Sequence, residues 1–170
     1  MSRAFVKEDD SGEPPIIPKR AALPPGVNNY VTPNGLNQLK SEREEMEKER
    51  GQLSGKDDGE SRRELQIING KLEQLNARIA SARVIQPEEQ TEGEVRFGAT
   101  VKLANTESDK IGEERIFKIV GVDEANVKEG KIAFVAPIAK VLNGKEVGDI
   151  VTFRFGGEEE KLKIAEINYK

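Results

Sequence analysis

Between Pro33 and Ala82, apolar side chains return at a helical interval. Leu36, Leu39, Met46 and Leu53 share one seam, with Arg43 and Arg50 at its intervening positions. Leu65, Ile68, Leu72, Leu75, Ile79 and Ala82 form a second and cleaner seam. Both advance alternately by three and four residues, the heptad spacing of a coiled coil. Two such seams joined by a short glycine-bearing link can bury each other only by folding back. The pattern therefore predicts an antiparallel α-hairpin over residues 32–86, with its turn at 55–60. Thr32 is placed to cap the first helix and Pro33 to occupy its first position, where no N–H is needed. Ser61 and Glu64 read S-x-x-E and predict a capping box for the second helix. An arm of some 22 residues would be about 33 Å long.

After Pro87 the period changes from a helical one to two. "EVRFGATVKL" alternates Val95, Phe97, Ala99, Val101 and Leu103 against polar neighbours. "RIFKIVGV", "KIAFVA", "DIVTFRF" and "KLKIAEINY" follow with the same strand character. Gly, Asp, Asn and Glu-rich runs separate them. "PIAKVL" predicts a short helix opened by Pro137. Residues 92–170 thus read as a small antiparallel β domain with one short helix. The fold class is α+β, in two domains. Upstream of the hairpin, residues 1–31 contain five of the eight prolines. This segment reads as an extended or disordered tail, with Ile16, Ile17 and Leu23 able to lie along a neighbouring surface.

Composition narrows the chemistry. The chain has no cysteine and no histidine, which removes thiol chemistry, disulfides, His-based triads and nearly all zinc sites. A charged fraction of 34%, only 5% aromatic residues and a mean hydropathy of -0.63 suit an elongated, solvated rod beside a modest core. The hairpin carries ten basic and ten acidic residues between Pro33 and Gln86, the mark of a solvent-exposed, ion-paired coil. The net charge of -4 and the lack of a basic stripe interleaved with aromatics argue against direct nucleic-acid binding. No apolar run is long enough for a membrane span, and a cytoplasmic monomer is expected.

Two acidic groups invite a chemical reading. "SGKDDGES" places Asp57, Asp58 and Glu60 at the hairpin turn. They are either a carboxylate-bearing tip or ordinary helix-start chemistry, since acids near a helix N-terminus suit its dipole. Asp123 and Glu124 in "GVDEAN" read as turn and strand-end residues, because neighbouring acids without a histidine or a cleft signal carry little.

The layout resembles the bacterial Gre transcript-cleavage factors, GreA and GreB. "YVTPNGLNQLKSE" is similar to the family's opening and "ARVIQP" to the end of its coil. "RFGATVKL", then "FKIVGVDEANVKEGKIAFVAPIAKVLNGKEVGDIVTF", then the closing "IAEINY" follow the family's C-terminal pattern. The resemblance implies an FKBP-like fold for the C-terminal domain and RNA polymerase as partner. It implies docking on the rim of the secondary channel through Val135, Ala136, Pro137, Ile138 and Ala139, and entry of the coil into that channel. It also implies indirect contact with nascent RNA. Two tip acids would help hold a catalytic magnesium inside the polymerase, with none bound by the chain alone. A backtracked transcript would then be cleaved by the polymerase, with this chain as an accessory and no catalyst of its own. Asp57, Asp58 and Glu60 are the candidate metal-site acids.

Departures from the family pattern are concrete. In alignment with the family tip, Gln52 and Gly55 fall where its metal-site acids stand, and Ala136 replaces the usual serine. The hairpin is shorter by roughly 15 residues, about one heptad per arm, or a reach reduced by ~10 Å. A regulator that docks without stimulating cleavage is therefore the alternative. A peptidyl-prolyl isomerase is a third possibility, on fold alone.

Overall fold

The computed structural model describes residues 12–170. Helix α1 runs Pro33–Leu53, and Thr32 caps it by accepting the Gly35 N–H at 2.9 Å. The chain reverses over residues 54–58 and returns as α2, Gly59–Ser81. The two heptad seams face one another. Leu39 and Leu75 join Val31 in one buried cluster, flanked by Leu36, Met46, Ile79 and Ala82. Nearer the turn, Leu53, Ile68 and Leu72 form a second cluster with Leu65 and Met46. At the two polar breaks of the first seam, Arg43 is half-buried and Arg50 exposed. At 21 residues, α1 is about 32 Å long.

The start of α2 corrects one expectation. Its N-cap is Asp58, not Ser61. The Ser61 N–H donates to Asp58 Oδ1 and the Ser61 hydroxyl donates to Oδ2, each at 2.8 Å. Ser61 lies buried inside the first turn and Glu64 is exposed one turn further on. D-x-x-S and S-x-x-E overlap in this run, and the ionised carboxylate is the stronger acceptor for the orphan N–H.

The hairpin root is closed by two short strands. β1, Asn29–Val31, pairs in parallel with β2, Ala82–Val84, Asn29 facing Ala82 and Val31 facing Val84. Of the expected tail at 1–31, residues 1–11 lie outside the described residues. Residues 12–28 form no helix or strand, and part of this stretch lies along α2, with Ile17 against Gly70.

The C-terminal sheet contains β3, Thr100–Asn105; β4, Glu114–Val120; β5, Lys131–Ala133; β6, Ile150–Phe155; and β7, Glu158–Asn168. Their order is β5-β4-β3-β7-β6. The pairing is antiparallel except at the edge, where β5 runs parallel to β4. Helix α3, Pro137–Leu142, packs Ile138, Ala139 and Leu142 into the core with Val101, Leu103, Ile119, Ile132, Val151, Leu162 and Ile164. The first strand begins at Thr100, later than the alternation from Val95 predicts. Val95 is nonetheless fully buried, exchanging backbone hydrogen bonds with Gly144 and Lys145 at 2.8 Å. Alternation reported which residues turn inward, but not that a loop supplies the partner.

Candidate functional site

Three places hold the residues singled out by sequence: the hairpin tip, the α3 edge and the junction between hairpin and sheet.

At the tip, Asp57, Asp58 and Glu60 are all exposed. Asp58 has both carboxylate oxygens engaged by Ser61, and the Ser61 N–H, followed by its hydroxyl, holds the Asp58 pKa below the usual carboxylate value. Asp57 and Glu60 enter no side-chain hydrogen bond or ion pair among the described residues. Among those residues no three acids, histidines or cysteines converge as a metal site. Magnesium prefers an octahedral set of oxygens. Each Asp58 oxygen accepts one bond from Ser61, and Asp57 and Glu60 stand exposed beside it.

The α3 edge is only partly a surface. Pro137 is exposed at the first position of α3, and Val135 and Ala136 are half-buried beside it. Ile138 and Ala139 are 7% and 3% exposed and belong to the domain core, which corrects their assignment as contact residues. Helical periodicity explains the division: Ile138, Ala139 and Leu142 turn into the core, while Pro137 and Lys140 stay exposed. The outward-facing part of the motif is Val135, Ala136 and Pro137.

The junction gathers residues that the sequence left as turn chemistry. Glu124, 6% exposed, lies at the N-terminus of α1. Its Oε2 accepts from the Thr32 hydroxyl at 2.5 Å, and its Oε1 from Asn34 Nδ2 at 3.0 Å. A carboxylate there also complements the helix dipole. Asp123 is equally buried at its side chain, with Arg20 Nε 3.1 Å from Oδ1 and Arg78 Nε 3.2 Å from Oδ2. The Arg78 contact is within ion-pair range but not aligned as a hydrogen bond. Arg20 comes from the proline-rich segment and Arg78 from α2. The pair Asp123–Glu124 therefore joins the sheet to both arms of the hairpin. The only local signal was two adjacent acids at the end of a strand.

An aromatic contact reinforces the junction. Tyr30 of β1 meets Phe97 and Phe134 of the sheet domain, with ring centroids 5.9 and 5.6 Å apart. These rings line a cavity of about 500 Å³ with Ile119, Arg96 and Lys140. One wall belongs to the hairpin root, so this is not a pocket of the β domain alone.

Comparison with known proteins addresses what such an arrangement serves. Residues 90–169 match the family described as transcription elongation factor, GreA/GreB, C-terminal. Transcription elongation factor GreA of Alkalilimnicola ehrlichii is 37% identical over 124 residues, covering 72% of this chain and 77% of its own. That of Thioalkalivibrio sulfidiphilus is 34% identical over 155 residues, covering 82% of this chain and 96% of its own. A solved transcription elongation factor GreA/GreB from Nitrosomonas europaea aligns over 82% of this chain and 98% of its own, at 22% identity and a TM-score of 0.42.

Proposed function

The chain belongs to the GreA/GreB family of transcription elongation factors, and from that premise we propose that it binds bacterial RNA polymerase and acts as an accessory in elongation. The edge formed by exposed Pro137 and half-buried Val135 and Ala136 docks on the rim of the secondary channel. The two-helix rod enters the channel as a finger. The finger regulates by occupancy and does not furnish a pair of metal-site carboxylates. What supports this reading is that Gln52 and Gly55 stand where the family's metal-site acids do, while Asp58 serves as the cap of α2 through two bonds from Ser61.

A second reading, stimulated transcript cleavage, is favoured by Asp57 and Glu60, which stand exposed on the same turn. Stalled, backtracked complexes separate the two. With occupancy alone, added protein leaves the rate of RNA shortening no higher than the polymerase's own. Faster shortening that disappears in the Asp57→Ala, Glu60→Ala variant establishes the second reading. Failure of the protein to be retained on immobilised core polymerase at low salt overturns both.

A further inference from the structure

We infer that Arg20 is a positioning residue, the bolt by which the proline-rich segment fixes the direction of the helical finger against the β domain. The inference rests on the proposed role of the finger, but its geometry stands apart from any partner.

One guanidinium serves two elements. Arg20 Nη1 and Nη2 donate to the two oxygens of Glu42 on α1 at 2.8 and 2.9 Å. Its Nε donates to Asp123 Oδ1 of the β domain at 3.1 Å. The planar fork makes a two-toothed contact on one side and leaves the Nε–H for the other, a division lysine cannot reproduce. Arg20 is 17% exposed at its side chain and Asp123 6%, so that side of the cluster is shielded from screening water, while Glu42 is 37% exposed. Hydrogen bonding to Glu42, ahead of other causes, raises the Arg20 pKa above its ordinary value.

The backbone around Arg20 is held with equal care. Its N–H donates to Gln74 Oε1 at 3.1 Å, and Gln74 Nε2 donates to the Pro18 carbonyl at 3.2 Å. Arg78 donates to the Ala21 carbonyl. Ile17 fills the space that a side chain at Gly70 would need: a Cβ there would lie 2.2 Å from Ile17 Cδ1. Pro14, Pro15 and Pro18 restrict the segment in advance, which lowers the entropy lost on laying it along α2.

The mechanical consequence follows from where the ties lie. Glu124 holds α1 at its first turn, through Thr32 and Asn34. The Arg78–Asp123 pair and the packing of Tyr30 against Phe97 and Phe134 also lie at the hairpin root, so all of these ties hold the rod at one end. Glu42 lies ten residues beyond Thr32, about 15 Å along the axis, and through Arg20 supplies a tie further out on the rod. Over a rod of about 32 Å, ten degrees of play would displace the tip by roughly 6 Å. A finger that must find a narrow channel needs that play removed.

The absence of natural cysteines permits a direct test. Spin labels on Ser54→Cys at the turn and Thr152→Cys on exposed β6 report the angle between finger and sheet, in the free full-length protein. The parent is expected to give one narrow distance distribution. Arg20→Ala broadens it at least twofold, Arg20→Lys gives an intermediate width, and Gly70→Val, which expels Ile17, broadens it by a second route. Lys19→Ala leaves it unchanged. A width for Arg20→Ala equal to the parent's, at matched helical content, overturns the inference. On polymerase, Arg20→Ala keeps retention through the untouched α3 edge but loses a defined tip cross-link. Loss of retention by the parent itself would instead overturn the docking proposal, leaving the distance result standing.

Discussion

The Thr32 hydroxyl lies 2.5 Å from Glu124 Oε2 while accepting the Gly35 N–H at 2.9 Å. One oxygen thus caps a helix and donates across 92 residues of sequence to the other domain. Thr32→Val keeps the shape and removes both bonds. It is expected to destabilise by about 1–3 kcal/mol, read by urea denaturation. Glu124→Gln should show a smaller loss when introduced into Thr32→Val than into the parent, since the two side chains share one interaction.

Leu75 is fully buried and couples the seam to the hairpin root through Val31 and Leu39. Leu75→Ala should cost about 2–5 kcal/mol, through lost burial and a cavity that two stiff helices cannot collapse. Loss of far-ultraviolet helical ellipticity with denaturant checks this. Arg50→Ala, on an exposed position of the other seam, should fall within about 0.5 kcal/mol of the parent.

A Cβ at Gly121 would lie 2.6 Å from the Tyr30 carbonyl oxygen, a backbone atom that cannot step aside. Gly121→Ala should therefore push β1 away from the sheet and destabilise by about 1–3 kcal/mol. Quenching of Tyr30 fluorescence by acrylamide should rise in the variant, measured with Tyr169→Phe in both chains to isolate the signal.

The Asp58 cap predicts a direction with pH. Bonds from Ser61 lower its pKa in the folded state, so the cap stabilises fully above the unfolded value of about 4 and is lost as pH falls through the lower folded value. Helical content should decline on acidification in that window. Asp58→Asn retains a neutral capping oxygen and should remove this component of the decline.

Periodic signals were legible in the sequence and remote ones were not. The heptad seams place Leu39, Leu53, Ile68, Leu72 and Leu75 in the coil interface, where they are buried, because period and burial are the same physical fact. Alternation likewise identified Val95, Ala99, Val101 and Leu103 as inward-facing. The parallel β1–β2 pairing was hidden because three-residue strands leave too little pattern to read. The roles of Asp123 and Arg20 were hidden for another reason: they meet across 103 residues, and neither neighbourhood encodes the other. The tip was misread where two capping patterns overlap and only geometry chooses between Asp58 and Ser61.

A benzophenone side chain in place of Asp57, in the protein bound to bacterial core RNA polymerase, tests the central claim most directly. The account predicts that illumination joins the tip to polymerase surfaces lining the secondary channel, while the same group in place of Ala136 joins the rim. A tip adduct confined to the outer surface of the enzyme, with the Ala136 adduct unchanged, would contradict it.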